Sequence, residues 1–314
     1  MSQKQCLLFA GQSVQEAGMG KGLLKISQAK EIIARLKPFL GQDLEHLLTD
    51  MPDSELALTY NAQRAIHAHH LANYFAYKAA HPDWALSGAL GHSMGIVAAL
   101  VAAGSLSVED SGKFIAVRAK AFSDVCKTFS VPMGLASVSS DDFKDVVDEV
   151  THFAAISVAL YNTKSRGVLG GTLAELENFA QKARAEDWPV RVKVLRVEGP
   201  YHTKAFLPCR AELDRVLAAI EIKAPQVPVF MGTSGQAEKD PAQIRRLLSA
   251  QADSCELYLQ AVQAAYAAGQ RHFIEIAHKP QPVTWISEQL LSDDGTPFEG
   301  VTTSAVRTED ISAS

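Results

Sequence analysis

The sequence predicts an α/β protein with a hydrolase-like parallel-sheet core and an inserted ferredoxin-like βαββαβ subdomain. Three observations predict it. The chain has 314 residues, too many for one small domain and too few for three. Gly91-His92-Ser93-Met94-Gly95 lies between a strand pattern and a helix pattern, the setting in which a sharp turn lifts a serine above a parallel sheet. Between Pro132 and Arg196 the periodicity changes to the order βαββαβ. We therefore expect an α/β catalytic domain made from residues 1–130 and 197–314, with the ferredoxin-like subdomain over 131–196.

The elements follow in chain order. Cys6 to Phe9 is a short apolar run ending in Ala10-Gly11-Gln12-Ser13, which reads as a buried strand entering a tight turn. Helical spacing holds from about Leu23 to Ala79, with a stop and restart at Asp50-Met51-Pro52-Asp53. Trp84 to Leu90 is the next strand. Met94 to Ala103 is an Ala/Val/Leu-rich helix closed by Gly104. Ser107-x-x-Asp110 has capping-box spacing and opens a helix to about Lys127. The insert reads as strand 133–138, helix 141–150, strand 154–159, strand 166–170, helix 172–186 and strand 189–196. The core then resumes at Val197 with a helix over Ala205 to Ile220, a strand at Val227 to Met231, helices over Pro241 to Ala268 and a strand at His272 to Ile276. The small, polar tail from about Thr302 is expected to be peripheral or frayed.

Composition narrows the function. With 47% apolar and 21% charged residues the chain can bury a sizeable core. A net charge of -5 and the lack of a Lys/Arg-rich run leave no footprint for nucleic acid. No apolar stretch reaches the roughly 18 residues of a membrane span, and no export segment is evident. Four cysteines, Cys6, Cys126, Cys209 and Cys255, stand singly, which disfavours a metal ribbon or a disulfide framework and points to a reducing cytoplasm.

Residues 91–95 fit G-x-S-x-G, in which the glycines permit a strained elbow and the following helix contributes its positive end to an oxyanion. A nucleophilic Ser93 needs a base. Among ten histidines, His202 in Gly199-Pro200-Tyr201-His202-Thr203 has the best context, at the junction where the insert returns to the core. His67, His69 and His70 share one predicted helix, but no carboxylate matches their spacing, so they read as structural and no metal is expected. Arg118 lies on the apolar stripe formed by Phe114, Ile115, Ala121, Phe122 and Val125. A guanidinium stays charged, so it requires an anion or a path to solvent. A structural carboxylate, snorkelling and a substrate carboxylate all satisfy that demand.

These residues resemble the malonyl-CoA:acyl carrier protein transacylases and the acyltransferase domains of polyketide synthases. The family's F-P-G-Q-G-S-Q is similar to Phe9-Ala10-Gly11-Gln12-Ser13-Val14-Gln15 with Gly18-Met19 after it, and its T-Q-P-A is similar to Ala62-Gln63-Arg64-Ala65. Its G-H-S-x-G matches residues 91–95 throughout. The resemblance places a substrate arginine at Arg118, an asparagine at Asn162, and the histidine motif at Gly199 to His202. It makes Gln251 the residue whose backbone carbonyl holds the histidine. Malonyl-selective members usually carry an apolar residue after the serine and an aromatic before the histidine, as Met94 and Tyr201 do. It implies that Ser93 attacks an acyl-CoA thioester, that His202 shuttles the proton, and that the N–H groups of Gln12 and Met94 form the oxyanion hole. Gln63, Arg118, Asn162 and Tyr201 would contact the substrate. The acceptor would be the pantetheine thiol of an acyl carrier protein, within fatty-acid or polyketide synthesis, with no cofactor beyond acyl-CoA as substrate.

Departures from the family pattern make the chain a divergent member. Ala10 and Ser13 replace a proline and a glycine, Ile96 stands where an acid is usual, and Ala277-His278-Lys279-Pro280 replaces G-P-G-K. The competing readings are a hydrolase that clears stalled acyl groups from carrier proteins and a non-catalytic docking protein. Arg118 argues against the first, since a proofreading hydrolase must accept uncharged chains. Intact Ser93 and His202 argue against the second.

Overall fold

The computed structural model describes residues 4–195, 197–292 and 294–311. Arg196, the final position of the expected strand 189–196, lies outside them, as do the two extreme ends of the expected catalytic domain. The described residues form strands β1 (Gln5–Phe9), β2 (Leu86–Gly91), β3 (Met133–Ser140), β4 (Ile156–Tyr161), β5 (Arg166–Thr172), β6 (Val190–Val194), β7 (Val229–Met231), β8 (Gln236–Glu238), β9 (His272–Ala277) and β10 (Thr302–Arg307). They make a six-stranded sheet ordered β10-β9-β1-β2-β7-β8 and a four-stranded sheet ordered β4-β5-β3-β6. In the first, every pairing is parallel except the β7–β8 edge. The second is antiparallel throughout, and its chain path through the Phe143–Val150 and Leu173–Ala185 helices is the ferredoxin-like arrangement. The chain is thus an α/β protein of the predicted class.

Residues Cys6 to Phe9 are buried on both faces because helices cover the parallel sheet on each side, so β1 is a continuous apolar run. The pairing of Leu8 with Leu90 and of Phe9 with Gly91 brings the C-terminal ends of β1 and β2 level. The loops that follow them therefore emerge side by side, at the edge of a parallel sheet where such folds bind ligands. The antiparallel sheet carries its own buried cluster, including Val138, Phe143, Leu169 and Phe179.

Four expectations are corrected. The helical stretch from Leu23 to Ala79 is five pieces, a 3-10 turn at Leu23–Lys25 and helices at Ser27–Leu40, Leu44–Thr49, Asp53–Leu56 and Thr59–Ala80. Gly41 ends the first long helix at φ +110°, a conformation other residues resist. The helix expected over Ala205 to Ile220 is a 3-10 segment at Lys204–Cys209 followed by an α-helix at Arg210–Ala219, because Pro208 has no N–H to extend an α-helical ladder. The pair over Pro241 to Ala268 is Pro241–Ala250 and Tyr258–Ala267, and the loop between them turns out to matter. Finally, the tail expected to fray pairs in register along β9 as β10, then buries Thr308 and Ile311. Its outward side chains are small and exposed, which is why it reads as loop.

Candidate active site

The turn after β2 is forced by close approach. A Cβ on Gly91 would fall 1.9 Å from Ile96 N, and one on Gly95 would fall 2.4 Å from Phe9 O and 2.6 Å from Ala10 O. Only glycines let the elbow pack against the loop after β1. Ser93 itself holds φ +50°, a strained conformation of the sort kept at reactive positions. His202 sits at φ +63° and Ser13 at φ +102°, so among the described residues three of the four non-glycine residues in that region belong to the loops that meet here.

The Ser93 hydroxyl donates to His202 Nε2 at 2.7 Å. His202 Nδ1–H donates to the Gln251 backbone carbonyl at 2.9 Å. A carbonyl can only accept, so the tautomer is fixed with Nε2 free to take a proton. The His202 backbone is pinned as well, its N–H donating to Ala252 O at 3.0 Å. Burial, and after it the positive charge of Arg118, pushes His202 down to about 3. The ring is a neutral base across the physiological range.

Gln251 adds a second link through its side chain. Its amide Nε2 donates to Ser93 O at 2.9 Å, and its Oε1 accepts from Arg118 at 3.3 Å. Arg118 also donates to Gln63 Oε1 at 2.6 Å, and its guanidinium lies 4.2 Å over the Phe122 ring. It is 2% exposed, and among the described residues no carboxylate forms an ion pair with it. Of the sequence-level alternatives for Arg118, the snorkel and a structural carboxylate in direct contact both drop out. Burial lowers its affinity for the proton to a pKa of about 10, still cationic at neutral pH.

Ser93 and His202 open into a cavity of about 230 Å³ with Gln12, Asn162 and Tyr201 on its wall and an apolar side from Leu135, Leu160, Val168, Leu195, Val197 and Trp285. Asn162 Oδ1 accepts from His92 Nε2–H at 2.9 Å, and its backbone carbonyl accepts from Gln289 at 2.7 Å. The Tyr201 hydroxyl is engaged by Thr59 Oγ1. Met94 is buried at the N-cap of the Gly95–Ala102 helix. Among the described residues no acceptor in the protein takes the N–H of Gln12 or Met94. The structure thus gathers Ser93, His202, Gln251, Arg118 and Gln63 in one bonded chain, with Gln12, Asn162 and Tyr201 around the cavity beside it.

The three clustered histidines lie elsewhere. His67 Nε2 meets Ser111 Oγ at 2.9 Å, His70 Nε2–H donates to Ala10 O at 2.9 Å, and Asn73 Nδ2 meets His69 Nε2 at 3.0 Å. All three are buried.

Two residues went unnoticed in the sequence. Glu256, in the loop before the Tyr258–Ala267 helix, accepts the Ser93 backbone N–H at 3.0 Å. Glu275 on β9 accepts from Gln281 N and Val283 N at 2.8 and 3.1 Å and so holds the loop that brings Gln281 and Trp285 to the cavity. The available signal for both was a lone acid in an apolar run, Cys255-Glu256-Leu257-Tyr258 and Phe273-Ile274-Glu275-Ile276.

Comparison with known proteins gives a consistent picture. The family profile described as acyl transferase domain matches residues 6–307. Among curated relatives, malonyl CoA-acyl carrier protein transacylase of Bacillus subtilis is 31% identical over 278 residues, 87% of this chain and 86% of that protein. The mitochondrial malonyl-CoA-acyl carrier protein transacylase of Mus musculus is 30% identical over 279 residues, 84% of this chain and 72% of that protein. Among solved structures, the malonyl-CoA:acyl carrier protein transacylase of Xanthomonas oryzae superposes with TM-score 0.88 at 23% identity, covering 100% of this chain and 98% of that one. The acyltransferase domain from the second module of the salinomycin polyketide synthase superposes with TM-score 0.83 at 20% identity, covering 98% and 70%. These two likenesses show the shared fold.

Proposed function

We propose, for a chain that belongs to the acyl transferase domain family, that it moves a malonyl group from coenzyme A to the pantetheine thiol of an acyl carrier protein through an acyl-Ser93 intermediate. The observation that carries this reading is the chain Ser93–His202–Gln251–Arg118, which joins a nucleophile and its base to a buried cation within one set of hydrogen bonds. The relatives bearing the transacylase name support the choice of donor and acceptor.

The geometry performs the reaction in two halves. Ser93 Oγ attacks the thioester carbonyl while His202 Nε2 takes its proton, and the new oxyanion faces the N–H groups of Gln12 and Met94. Collapse expels the coenzyme A thiolate, which recovers the proton from His202. The pantetheine thiol then repeats the sequence on the acyl-serine. Gln251 stabilises the transient imidazolium with a carbonyl dipole in place of a carboxylate. Arg118, aided by Gln63, pairs with the free carboxylate of the malonyl group, and Asn162 and Tyr201 shape the wall. Acyl-CoA enters as substrate, and this scheme uses no metal or redox cofactor. In this reading the described part of 131–196 is the ferredoxin-like subdomain beside the cleft, and the other described residues are the catalytic domain. The four thiols, unpaired among the described residues, suit the cytoplasm, and no described helix is long and apolar enough to cross a membrane.

Incubation with malonyl-CoA followed by peptide mass mapping tests the reading. A malonyl adduct is expected on Ser93, transferable to a carrier-protein thiol, and Ser93→Ala is expected to abolish it. A stable adduct at another residue, or acylation surviving in Ser93→Ala, removes the mechanism. Release of the acyl group to water faster than to the thiol replaces transfer with hydrolysis.

A further inference from the structure

Glu256 is a carboxylate for which the acyl-transfer scheme has no use, and it is completely buried. Its Oε1 accepts the Ser93 N–H at 3.0 Å, and its Oε2 accepts from Gln251 Nε2 at 3.4 Å. Its backbone is fastened to β4, donating to Ala159 O at 2.9 Å and accepting from Tyr161 N–H at 2.8 Å. Gly232 makes the space, since a Cβ there would fall 2.1 Å from Glu256 Oε1. The partners also fix the orientation of the Gln251 amide, whose nitrogen faces two acceptors, Ser93 O and Glu256 Oε2, and whose oxygen faces Arg118. Both carboxylate oxygens accept, so the network is built for the ionised form. It connects an anion to a cation through one amide: Glu256, Gln251, Arg118.

A buried guanidinium with no carboxylate against it needs its charge balanced at close range. We propose that Glu256 is the resident counter-ion of Arg118 and a specificity-determining positioning residue, which takes up one solvent proton when the carboxylate of the acyl group pairs with Arg118. The charge balance closes. Before binding, one carboxylate faces one guanidinium; after binding, the substrate carboxylate faces the guanidinium and Glu256 is a neutral acid, its new O–H bond formed with a proton from water. An uncharged acyl group brings no anion and draws no proton. The inference rests on the acyl-transfer reading above.

The surroundings leave Glu256 as the group that titrates. Burial lifts it to about 7, against the opposing pull of the Ser93 N–H and of Arg118. From the Val108–Cys126 helix it faces Arg118, cationic until about 10. On its own segment, burial raises Cys255 to about 12 and Tyr258 well above its ordinary value, so both stay neutral. Across the site, burial holds His202 at about 3 and His92 at about 4. Glu275 on β9, raised by burial to about 8, holds the Gln281 loop at the cavity for either ligand, so among the groups facing Arg118 Glu256 is the one whose titration between pH 5 and 9 distinguishes malonyl-CoA from acetyl-CoA.

The test is calorimetry on the full chain carrying Ser93→Ala, which keeps the backbone N–H but cannot be acylated. Malonyl-CoA and acetyl-CoA are titrated at pH 7 in two buffers of different protonation enthalpy, so that proton exchange by the shared coenzyme A moiety cancels in the difference. Malonyl-CoA is expected to take up roughly half a proton more than acetyl-CoA, a half-ionised Glu256 becoming fully protonated. In the wild type, KM for malonyl-CoA should rise about 25-fold relative to KM for acetyl-CoA between pH 6.5 and 8.5. Glu256→Gln should remove the malonyl dependence. Its amide nitrogen would oppose Gln251 Nε2, so should that variant fail to fold, the proton count on Ser93→Ala decides alone. Equal proton counts for the two ligands, with the wild type still malonylated on Ser93, overturn the inference and leave the acyl-transfer reading standing. A wild type that never acylates Ser93 overturns both.

Discussion

Arg118→Ala separates a substrate-reading cation from a structural one. In the folded chain the guanidinium donates to Gln63 Oε1 and Gln251 Oε1 and lies over Phe122. Truncation leaves two buried acceptors without donors, at about 1–3 kcal/mol each. It also loses roughly 1–2 kcal/mol of ring contact. Relief from burying a charge offsets part of this, so a net destabilisation of about 2–4 kcal/mol is expected in denaturant unfolding. The catalytic loss is larger and selective. Removing one member of a desolvated charge pair costs about 2–5 kcal/mol, which is on the order of 30- to 4,000-fold in malonyl kcat/KM. Acetyl loading uses no carboxylate contact and should fall by less than about fivefold, through the loosened Gln251. Quenched loading with each acyl-CoA, read by intact-protein mass spectrometry at short times, gives both numbers on one preparation, and the acetyl rate controls for misfolded protein. Arg118→Lys keeps the charge without the planar fork and should fall between. A malonyl-to-acetyl ratio that is unchanged in Arg118→Ala would show Arg118 to be a packing residue and remove the case for malonyl selectivity.

The elbow glycines should differ sharply from glycines in open turns. Gly91→Ala puts a methyl 1.9 Å from backbone and should cost more than about 4 kcal/mol in urea unfolding, whereas Gly269→Ala, at φ +90° with nothing within 4 Å, should cost only about 1–2 kcal/mol; similar losses for the two would mean the elbow relaxes. Stability should peak near neutral pH. Five histidines, His67, His69, His70, His92 and His202, are held below their ordinary range by desolvation of the ring, so the unfolded chain binds more protons below about pH 6.5 and stability falls as pH drops. Glu256 and Glu275 are raised by burial to about 7 and about 8, so the folded chain binds more protons until those values are passed, and their contribution is lost as pH rises through them. Thermal unfolding from pH 5 to 9 should give a maximum at about 6–7, and a Tm rising steadily toward pH 9 would contradict these assignments.

How much was legible in the sequence depends on whether the signal is local. The elbow, the helix capped by Ser107 and the βαββαβ order are local patterns, and the structure has them, down to the Ser107 Oγ accepting Asp110 N–H at 2.9 Å. Arg118 was legible because a lone cation on an apolar stripe is anomalous without any knowledge of its partners. Its partners were not legible, since Gln63 lies 55 positions away and Gln251 133. The edge strand β10 was missed because its exposed Thr and Ser side chains hide a backbone ladder that only β9 reveals. Glu256 was missed because its burial shows only when the fold places Gly232, Ser93 and Gln251 around it.

The base is held by a carbonyl, so among the described residues no carboxylate is bonded to His202 to stabilise its cationic form, and the nearby guanidinium opposes that form. When a substrate carboxylate takes over from Glu256 as the counter-ion of Arg118, one anion still balances one cation beside His202, so the imidazolium forms against the same net charge as in the empty site. An uncharged acyl group leaves Glu256 in that role. Selectivity between acyl groups is therefore expected in KM more than in kcat, while the hydrogen-bonded path through Arg118, Gln251 and His202 holds the base in place for either.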